Sequence, residues 1–250
     1  MDATTAVLAG GLRARAEALD LLANNLANTA TTGFKFEVEL YAPYVSDEAA
    51  AGNLGAQFSS LSPEVARTWT RFSQGTLSKS DRQLDFAIEG QGFFGVESRD
   101  GLLLTRDGRF QIGTDGRLRT TDGNAVKLKP LIATQGKLPP QFDPNLPIVL
   151  DNSGVLRQNG QGIATFDLFE GDVASLSRKG ANFFSLSDSS SMKASTGSRT
   201  HQGFLEQSNT DPAEASIRMV NTLRQFEMLQ KAVQLQGEMG KRSTEEVGRV

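Results

Sequence analysis

Cysteine is absent from this 250-residue chain, and histidine and tryptophan occur once each. The lack of thiols excludes disulfides, cysteine nucleophiles and cysteine-rich zinc sites. One imidazole, His201, leaves little for a histidine metal site, so we expect no metal and no other cofactor. No apolar run is longer than about five residues, which is too short for a membrane-spanning helix.

An excess of basic charge is also missing. The chain has 26 lysines and arginines against 29 aspartates and glutamates, a net charge of -3. Nucleic-acid binding depends on basic surface, so we expect no nucleic-acid partner. The first basic residue is Arg13, and no basic region followed by an apolar stretch precedes it, so we expect no cleaved secretory signal.

The N-terminal part of the chain has the pattern of a helix. Residues 5–28 contain no proline and place leucines seven residues apart in two columns, interrupted by Arg15. The seam residues are Leu8, Leu12, Leu19, Leu22 and Leu26. This pattern predicts an amphipathic helix with a coiled-coil seam, ending between Asn28 and Gly33.

A second helix is predicted at the C-terminus. Asn209 to Pro212 supply an N-cap and an early proline. Met219, Leu223, Phe226, Leu229 and Val233 then recur at helical spacing. Gly237 and Gly240 indicate a loosened end, and residues 241–250 have the composition of a polar tail. Because isolated short helices are marginal in water, each terminal helix needs a partner. Ordinary core packing would satisfy this, but we favour pairing of the two ends.

The middle of the chain is typical of antiparallel β-structure. Asp-Gly pairs at 100–101, 107–108, 115–116 and 122–123 predict the turns of a meander. Further candidate strands cover residues 84–89, 93–98, 148–150, 155–158 and 163–169. The serine-rich residues 187–198 predict a mobile loop.

These patterns give a mixed α and β fold, in which paired terminal helices form a coiled coil and an antiparallel all-β domain is inserted between them. The predicted parts are an N-terminal helical segment (1–40), a connecting stretch (41–75), a β-rich domain (76–204) and a C-terminal helical segment (205–250). The two helical segments together would form one domain.

Three motifs have a possible catalytic or ligand-binding interpretation. Gly90, Gly92 and Gly95 fit the spacing of a dinucleotide-binding turn, but alternating residues follow where a helix is needed, so we expect a β-turn or bulge. The Asp-Gly pairs lack the preceding carboxylates of calcium loops. His201 has no nucleophile motif nearby, and a surface or interface position is expected.

Two further classes of function remain as alternatives. A secreted β-rich module that binds glycan or peptidoglycan would need exposed aromatics, for which the sequence offers Trp69, Tyr41 and Tyr44. An enzyme would need a cleft of perturbed carboxylates, and no carboxylate pair can be placed across a cleft from the sequence.

Three blocks of sequence carry a family resemblance. Residues 18–28 read Ala-Leu-Asp-Leu-Leu-Ala-Asn-Asn-Leu-Ala-Asn, and residues 31–35 read Thr-Thr-Gly-Phe-Lys. The middle block runs from Gly75-Thr76-Leu77 through Leu84 to Phe94 and on to Thr105-Arg106-Asp107-Gly108. The last begins with Gln-Gly-Phe-Leu-Glu-Gln-Ser-Asn at residues 202–209. In this order the blocks resemble bacterial flagellar rod and hook proteins.

The resemblance implies a non-enzymatic structural subunit of the flagellar basal-body rod. Its terminal helices would form the inner tube, and it would assemble with itself and other rod proteins. It also implies export through the flagellar type III apparatus without a cleaved signal, to a rod that crosses the periplasm. Head-to-tail contacts that do not close build such a tube.

The helical patterns, taken together with the resemblance, predict roles for individual residues. The five leucines of the first seam would pack against Met219, Leu223, Phe226, Leu229 and Val233. The asparagines Asn24, Asn25 and Asn28 would bond neighbouring subunits. Residues 224–231 resemble the proximal-rod member of the family more than the distal-rod member, which remains the alternative.

Overall fold

The computed structural model describes residues 3–44, 62–99, 101–131, 139–186, 193–195 and 197–247. The chain divides into two compact units. The helical unit comprises Met1–Ala27, Phe36–Arg71 and Thr210–Val250, and the β unit comprises Asn28–Lys35 and Phe72–Asn209. The predicted mixed fold, with helices at both ends and a β domain between them, is confirmed.

The helical unit contains two helices and one hairpin among its described residues. They are α1 (Ala3–Ala27), β1 (Glu37–Tyr44), β2 (Ser62–Thr70) and α2 (Pro212–Val247). Helix α1 packs against both α2 and β2. The strands pair antiparallel, and their register shifts between Leu40 and Tyr41. This hairpin was not anticipated from the sequence; residues 45–61 lie outside the described part of the chain.

The most buried face of α1 begins with small side chains and continues with Leu22 and Asn25. Ala14, Ala18, Leu22 and Asn25 are buried, with Gly11 one turn before them. A Cβ atom built on Gly11 would lie 3.6 Å from Cδ1 of Leu229, so α2 passes close to this glycine. Residues spaced by three and four lie on one side of a helix, and small ones there permit a close approach.

Helix α2 begins as the sequence predicts. Oδ1 of Asp211 accepts hydrogen bonds from the backbone N–H groups of Ala213 at 2.8 Å and Glu214 at 3.4 Å, which makes Asp211 the N-cap. Its end was predicted wrongly, because the helix continues through Gly237 and Gly240 to Val247. Each internal glycine costs about 1 kcal/mol relative to alanine, which a long run of helix-forming neighbours can offset. Residues 248–250 lie outside the described part.

In its described residues the β unit is built mainly from a nine-stranded and a four-stranded sheet. Its strands are β3 (Leu77–Lys79), β4 (Phe86–Glu89), β5 (Phe93–Ser98), β6 (Gly101–Thr105), β7 (Phe110–Ile112), β8 (Leu118–Thr120), β9 (Ala125–Val126), β10 (Leu128–Pro130), β11 (Ile148–Leu150), β12 (Val155–Gln158), β13 (Gln161–Phe166), β14 (Leu168–Glu170), β15 (Leu176–Lys179), β16 (Phe183–Leu186), β17 (Lys193–Ala194), β18 (Arg199–Gln202) and β19 (Phe204–Glu206).

The large sheet follows the order β15-β16-β6-β5-β9-β8-β7, with β14 pairing both β5 and β17. The four-stranded sheet follows β10-β13-β12-β11, while β18 pairs β4 and β19 pairs β3. Buried side chains from both sheets and β4 form one core, whose aromatic members are Phe86, Phe94, Phe110, Phe142 and Phe166. Rings such as Phe94 and Phe110 meet edge to face with centroids 5.1 Å apart, a favourable geometry.

Two of the four Asp-Gly pairs form the predicted hairpin turns. Gly116 and Gly123 have φ angles of 74° and 84°, and they connect β7 to β8 and β8 to β9. Asp100 lies outside the described residues, although the strands on either side of it do pair. The prediction for Asp107-Gly108 is wrong, because β6 pairs with β5 and β16 and not with β7. Glycine is needed there because a Cβ would lie 1.6 Å from the Phe86 carbonyl oxygen.

The Gly90–Gly95 segment is a turn followed by a strand. Gly90 and Gly92 have φ angles of 97° and 144°, and β5 begins at Phe93. No helix N-terminus follows the glycines, which excludes the dinucleotide interpretation. In the predicted serine-rich loop, Lys193–Ala194 forms β17, and residues 187–192 and 196 lie outside the described chain.

Candidate assembly site

The predicted leucine seam of α1 lies at the edge of its buried face. Leu22 is buried, whereas the other four leucines of the seam are half-buried. The buried line through Ala14 and Ala18 is rotated by about 80° from the leucine columns, at 100° per residue. The leucines therefore retain accessible surface within this chain.

The predicted seam of α2 is also only partly covered. Met219, Phe226, Leu229 and Val233 are half-buried, and Leu223 is 44% exposed. Leu229 faces Gly11 of α1, so this side of α2 is directed towards α1. Pairing of the two helices therefore covers the seam residues of α2 only in part.

The three seam asparagines have different environments. Asn25 is buried, and its amide forms two hydrogen bonds with the backbone of Glu37, at 2.8 Å to the carbonyl and 3.0 Å from the N–H. Its side chain therefore joins the end of α1 to the start of β1 within the same chain. Asn28 accepts a hydrogen bond from the Thr31 hydroxyl at 3.1 Å. Asn24 is exposed on α1.

A second apolar stripe lies on α2, and sequence reasoning missed it. Ile217, Met228, Leu235 and Met239 are 64%, 63%, 52% and 68% exposed. Their spacings of eleven, seven and four residues are close to whole helical turns. Three of them lie two positions, or about 200°, from the seam residues 219, 226 and 233. The helical spacing of these four residues can be seen in the sequence, but the seam on the other face has more closely spaced apolar residues and was the pattern recognised. We call these four residues the outer stripe.

The β unit contains a buried cluster of charges that sequence reasoning also missed. Lys35, Arg106 and Glu206 have side chains that are at most 3% exposed. Lys35 Nζ lies 2.5 Å from Glu206 Oε1, and Arg106 Nη1 lies 3.1 Å from Glu206 Oε2. Burial lowers the pKa of Lys35, while the Glu206 carboxylate acts in the opposite direction. We call the three residues the charged junction.

Each residue of the charged junction comes from a different block of the family resemblance. Lys35 ends the Thr-Thr-Gly-Phe-Lys sequence, Arg106 lies in Thr-Arg-Asp-Gly, and Glu206 lies in Gly-Phe-Leu-Glu-Gln-Ser-Asn. Near them, Gly33 has a φ of 71°, and a Cβ on it would lie 2.4 Å from the backbone nitrogen of Asp107. The three blocks therefore meet at the charged junction, where each contributes one buried charged side chain.

His201 lies on β18, where its Nε2 is 2.7 Å from Oε2 of Glu89 on the paired strand β4. The His201 side chain is 40% exposed and the Glu89 side chain 57%, so His201 lies at the surface as predicted. In the described part of the chain, no group of three or more histidine, cysteine or acidic residues could hold a metal ion. Neither terminal helix, as far as it is described, is apolar enough over its length to span a membrane.

A cleft of about 910 Å³ lies beside His201 and is lined mainly by polar side chains, including Lys129, Asp151 and Arg199. Phe166 is its aromatic lining residue among those described, and it is buried. Trp69 is 37% exposed but belongs to the helical unit. The exposed aromatic cluster expected of a glycan-binding module is therefore not present at this cleft.

Two long terminal helices, of which α2 carries an exposed apolar stripe, and a β unit between them in the chain are the features of a structural protein that assembles with partners. Three family models match it: "Flagella basal body rod protein" at residues 6–35, "Flagellar hook protein FlgE/F/G D1 domain" at 87–155 and "Flagellar basal body rod FlgEFG protein C-terminal" at 201–245.

Full-length relatives agree with these matches. Flagellar basal-body rod protein FlgF of Caulobacter vibrioides is 30% identical over 236 residues, covering 93% of this chain and 92% of the relative. FlgF of Mesorhizobium japonicum is 31% identical over 218 residues, covering 84% and 83%. FlgG of Borreliella burgdorferi is 31% identical over 252 residues, covering 92% and 93%. The chain belongs to the flagellar basal-body rod protein family, and because these are structural proteins, the non-enzymatic prediction is confirmed.

Proposed function

We propose that this chain is the proximal-rod subunit of the bacterial flagellum and that it polymerises through its terminal helices. The role of a structural rod subunit follows from the family. The proximal position is supported by the similarity to FlgF proteins, with FlgG proteins close behind. In this proposal the chain assembles with copies of itself and with other rod proteins, in a rod that crosses the periplasm. It reaches the rod through the flagellar export apparatus.

The outer stripe carries the proposal that the helices polymerise. Its four large apolar side chains lie on the face of α2 turned away from the seam and are each more than half exposed. Fully burying one such side chain stabilises by about 1.5–3 kcal/mol. In a rod, a contact with a neighbouring subunit would bury these side chains and so stabilise the assembly.

We further propose that residues 1–40 and 205–250 act together as the axial core domain and residues 76–204 as the outer domain. Residues 41–75 follow the first of these segments in the chain and include most of the β1-β2 hairpin of the helical unit. Within the axial core, the seam from Leu8 to Val233 would form a coiled coil and supply part of the subunit interface. Leu8, Leu12, Leu19 and Leu26 support this because they are only half-buried. Asn24 supports a role in bonding a neighbour because it is exposed on α1.

The test is electron microscopy of basal bodies from a strain that lacks the gene, together with a swimming assay. A missing or very short rod would support the proximal position, and a longer stub would favour the distal one. Intact rods and normal swimming without a compensating paralogue would contradict the rod role. Complementation with Leu19→Asp should fail to restore rods. The matched surface variant Lys193→Glu, which changes charge in the serine-rich segment, should restore them.

A further inference from the structure

We infer that Glu206 is a positioning residue for rod assembly, which holds together the three segments where the chain passes between the β unit and the helical unit. The assembly part of this inference rests on the proposed function. The local part concerns the chain alone and is tested separately.

The position of the charged junction in the chain is the first argument. The chain passes between the units at residues 27/28, 35/36, 71/72 and 209/210. Three segments of the β unit flank these passages: 28–35, 72–76 and 206–209. Lys35 and Glu206 lie within two of these segments. The charged junction therefore lies where the chain leaves the β unit.

Hydrogen bonds join the three segments to one another. Oε1 of Glu206 accepts from the N–H of Gly75 at 2.8 Å, and the Glu206 carbonyl accepts from the N–H of Gly33 at 2.8 Å. Lys35 Nζ donates to the Ser73 carbonyl at 2.8 Å. Asn209 Nδ2 donates to the same carbonyl at 3.1 Å. Glu206 is thus bonded to both of the other segments.

Two arginines connect this arrangement to the large sheet. Arg106 follows β6, and besides Glu206 it donates to the Gly90 carbonyl at 2.8 Å. Arg178 on β15 donates to the Lys35 carbonyl. The Arg178 guanidinium also lies 4.8 Å from the ring centroid of Phe34, a cation–π geometry. Glu206 is therefore bonded to the residue that follows strand β6, and Lys35 is bonded to the edge strand β15 of the large sheet.

The charge balance makes Glu206 the central member. It is one buried anion between two buried cations, Lys35 and Arg106. Removing the anion leaves two uncompensated buried charges, which a folded protein tolerates poorly. Removing the Lys35 ammonium instead leaves Arg106 and Glu206 paired. The phenylalanine core of the β unit is made by other residues, so we expect loosening of the passages to leave that core folded.

The local test is amide hydrogen exchange of the purified full-length chain. For Lys35→Met we expect exchange in segments 28–35, 72–76 and 206–209 to rise together by at least tenfold, because the segments lose hydrogen bonds that they share. Amides of β5 and β6 should keep their parental rates. The control is Arg117→Met, which removes an exposed ion pair with Glu97 and should change none of the three segments. Parental rates in Lys35→Met, or a rise in one segment alone, would overturn the inference.

Glu206→Gln serves as the second variant and should produce the same coupled rise with a larger amplitude. If Glu206→Gln does not fold, the exchange rates of Lys35→Met alone decide the local part of the inference. In cells, Lys35→Met should enter rods at least tenfold less than Arg117→Met. Coupled exchange together with normal incorporation would overturn the assembly role of Glu206. If the parent chain itself is not found in rods, the proposed function fails, while the exchange result still decides the local part.

Discussion

The ammonium group of Lys35 lies 2.5 Å from Oε1 of Glu206, although 171 residues separate the two in the sequence. Both side chains are fully buried. Such a pair adds little net stability compared with apolar side chains of the same shape, but breaking it is costly. The contact joins a signature near the start of the chain to one that directly precedes the last helix, so both parts must be in place for the β unit to be complete.

Replacing Glu206 by glutamine should lower the free energy of unfolding of the β unit by about 3–5 kcal/mol, because Lys35 and Arg106 lose their common counter-charge. Urea unfolding followed by circular dichroism would measure this. Glu97→Gln, which removes only the exposed pair with Arg117, should cost less than about 1 kcal/mol. Equal effects of the two substitutions would contradict the assigned importance of the buried carboxylate.

Alanine at two glycines should have opposite effects. At Gly33 it would strain a φ of 71° and place its Cβ 2.4 Å from the Asp107 nitrogen, so we expect a loss of more than about 2 kcal/mol. At Gly11 the Cβ would lie 3.6 Å from Leu229 in ordinary contact, and the helix would gain about 0.5–1 kcal/mol. Thermal unfolding of both variants tests this, and destabilisation by Gly11→Ala would show that α1 and α2 cannot accommodate the methyl group.

A charge in the outer stripe should block assembly without unfolding the chain. Met228 is 63% exposed, so Met228→Asp should retain parental helicity and melting temperature while rods fail to form. Phe226 is half-buried on the other face, and Phe226→Asp should destabilise the helical unit itself. Gln234→Asp adds the same charge on a third, exposed face and should assemble normally. Assembly of Met228→Asp at the level of Gln234→Asp would argue against the outer stripe as an interface.

The carboxyl group of Asp115 should titrate at about pH 2, because its hydrogen bond with Arg119 lowers its pKa from the ordinary 3.8. A lowered pKa in the folded state means that the contribution to stability is complete above about pH 4 and is lost as the pH falls towards 2. Side-chain carboxyl NMR would follow the titration. In Arg119→Gln the pKa should return towards 3.8, whereas Arg157→Gln, which affects Asp151, should leave Asp115 unchanged.

Removing the N-cap of α2 should destabilise the helical unit by about 0.5–2 kcal/mol. The variant is Asp211→Ala, in which the N–H groups of Ala213 and Glu214 lose their shared acceptor. Asp211→Asn should retain most of the stability, since asparagine is an equally good cap. Urea unfolding of the two variants side by side gives the comparison. A loss of equal size in both would mean that charge, rather than the capping hydrogen bond, is the source.

Local chemistry accounts for the features that the sequence predicted well. Asp211 before Pro212 fixed the start of α2, and the turns at Gly116 and Gly123 followed from the tolerance of positive φ. Features that depend on distant partners were missed. The β1-β2 hairpin includes Pro43 and Pro63, which weaken any strand signal, and its strands pair across a long connection. The Asp107-Gly108 pair has the sequence of a hairpin turn, but its glycine is needed because the Phe86 backbone lies too close for a Cβ atom.

The sequence by itself determined the two terminal helices, the antiparallel middle and the family, because periodicity, turn residues and signature blocks are all short-range patterns. Tertiary structure alone decided which face of each helix is covered. It placed Gly11 of α1 beside Leu229 of α2, left the outer stripe exposed and brought Lys35, Arg106 and Glu206 into one buried contact. The physical reason is that burial and charge pairing depend on neighbours in space, and no local pattern states which residues those neighbours are.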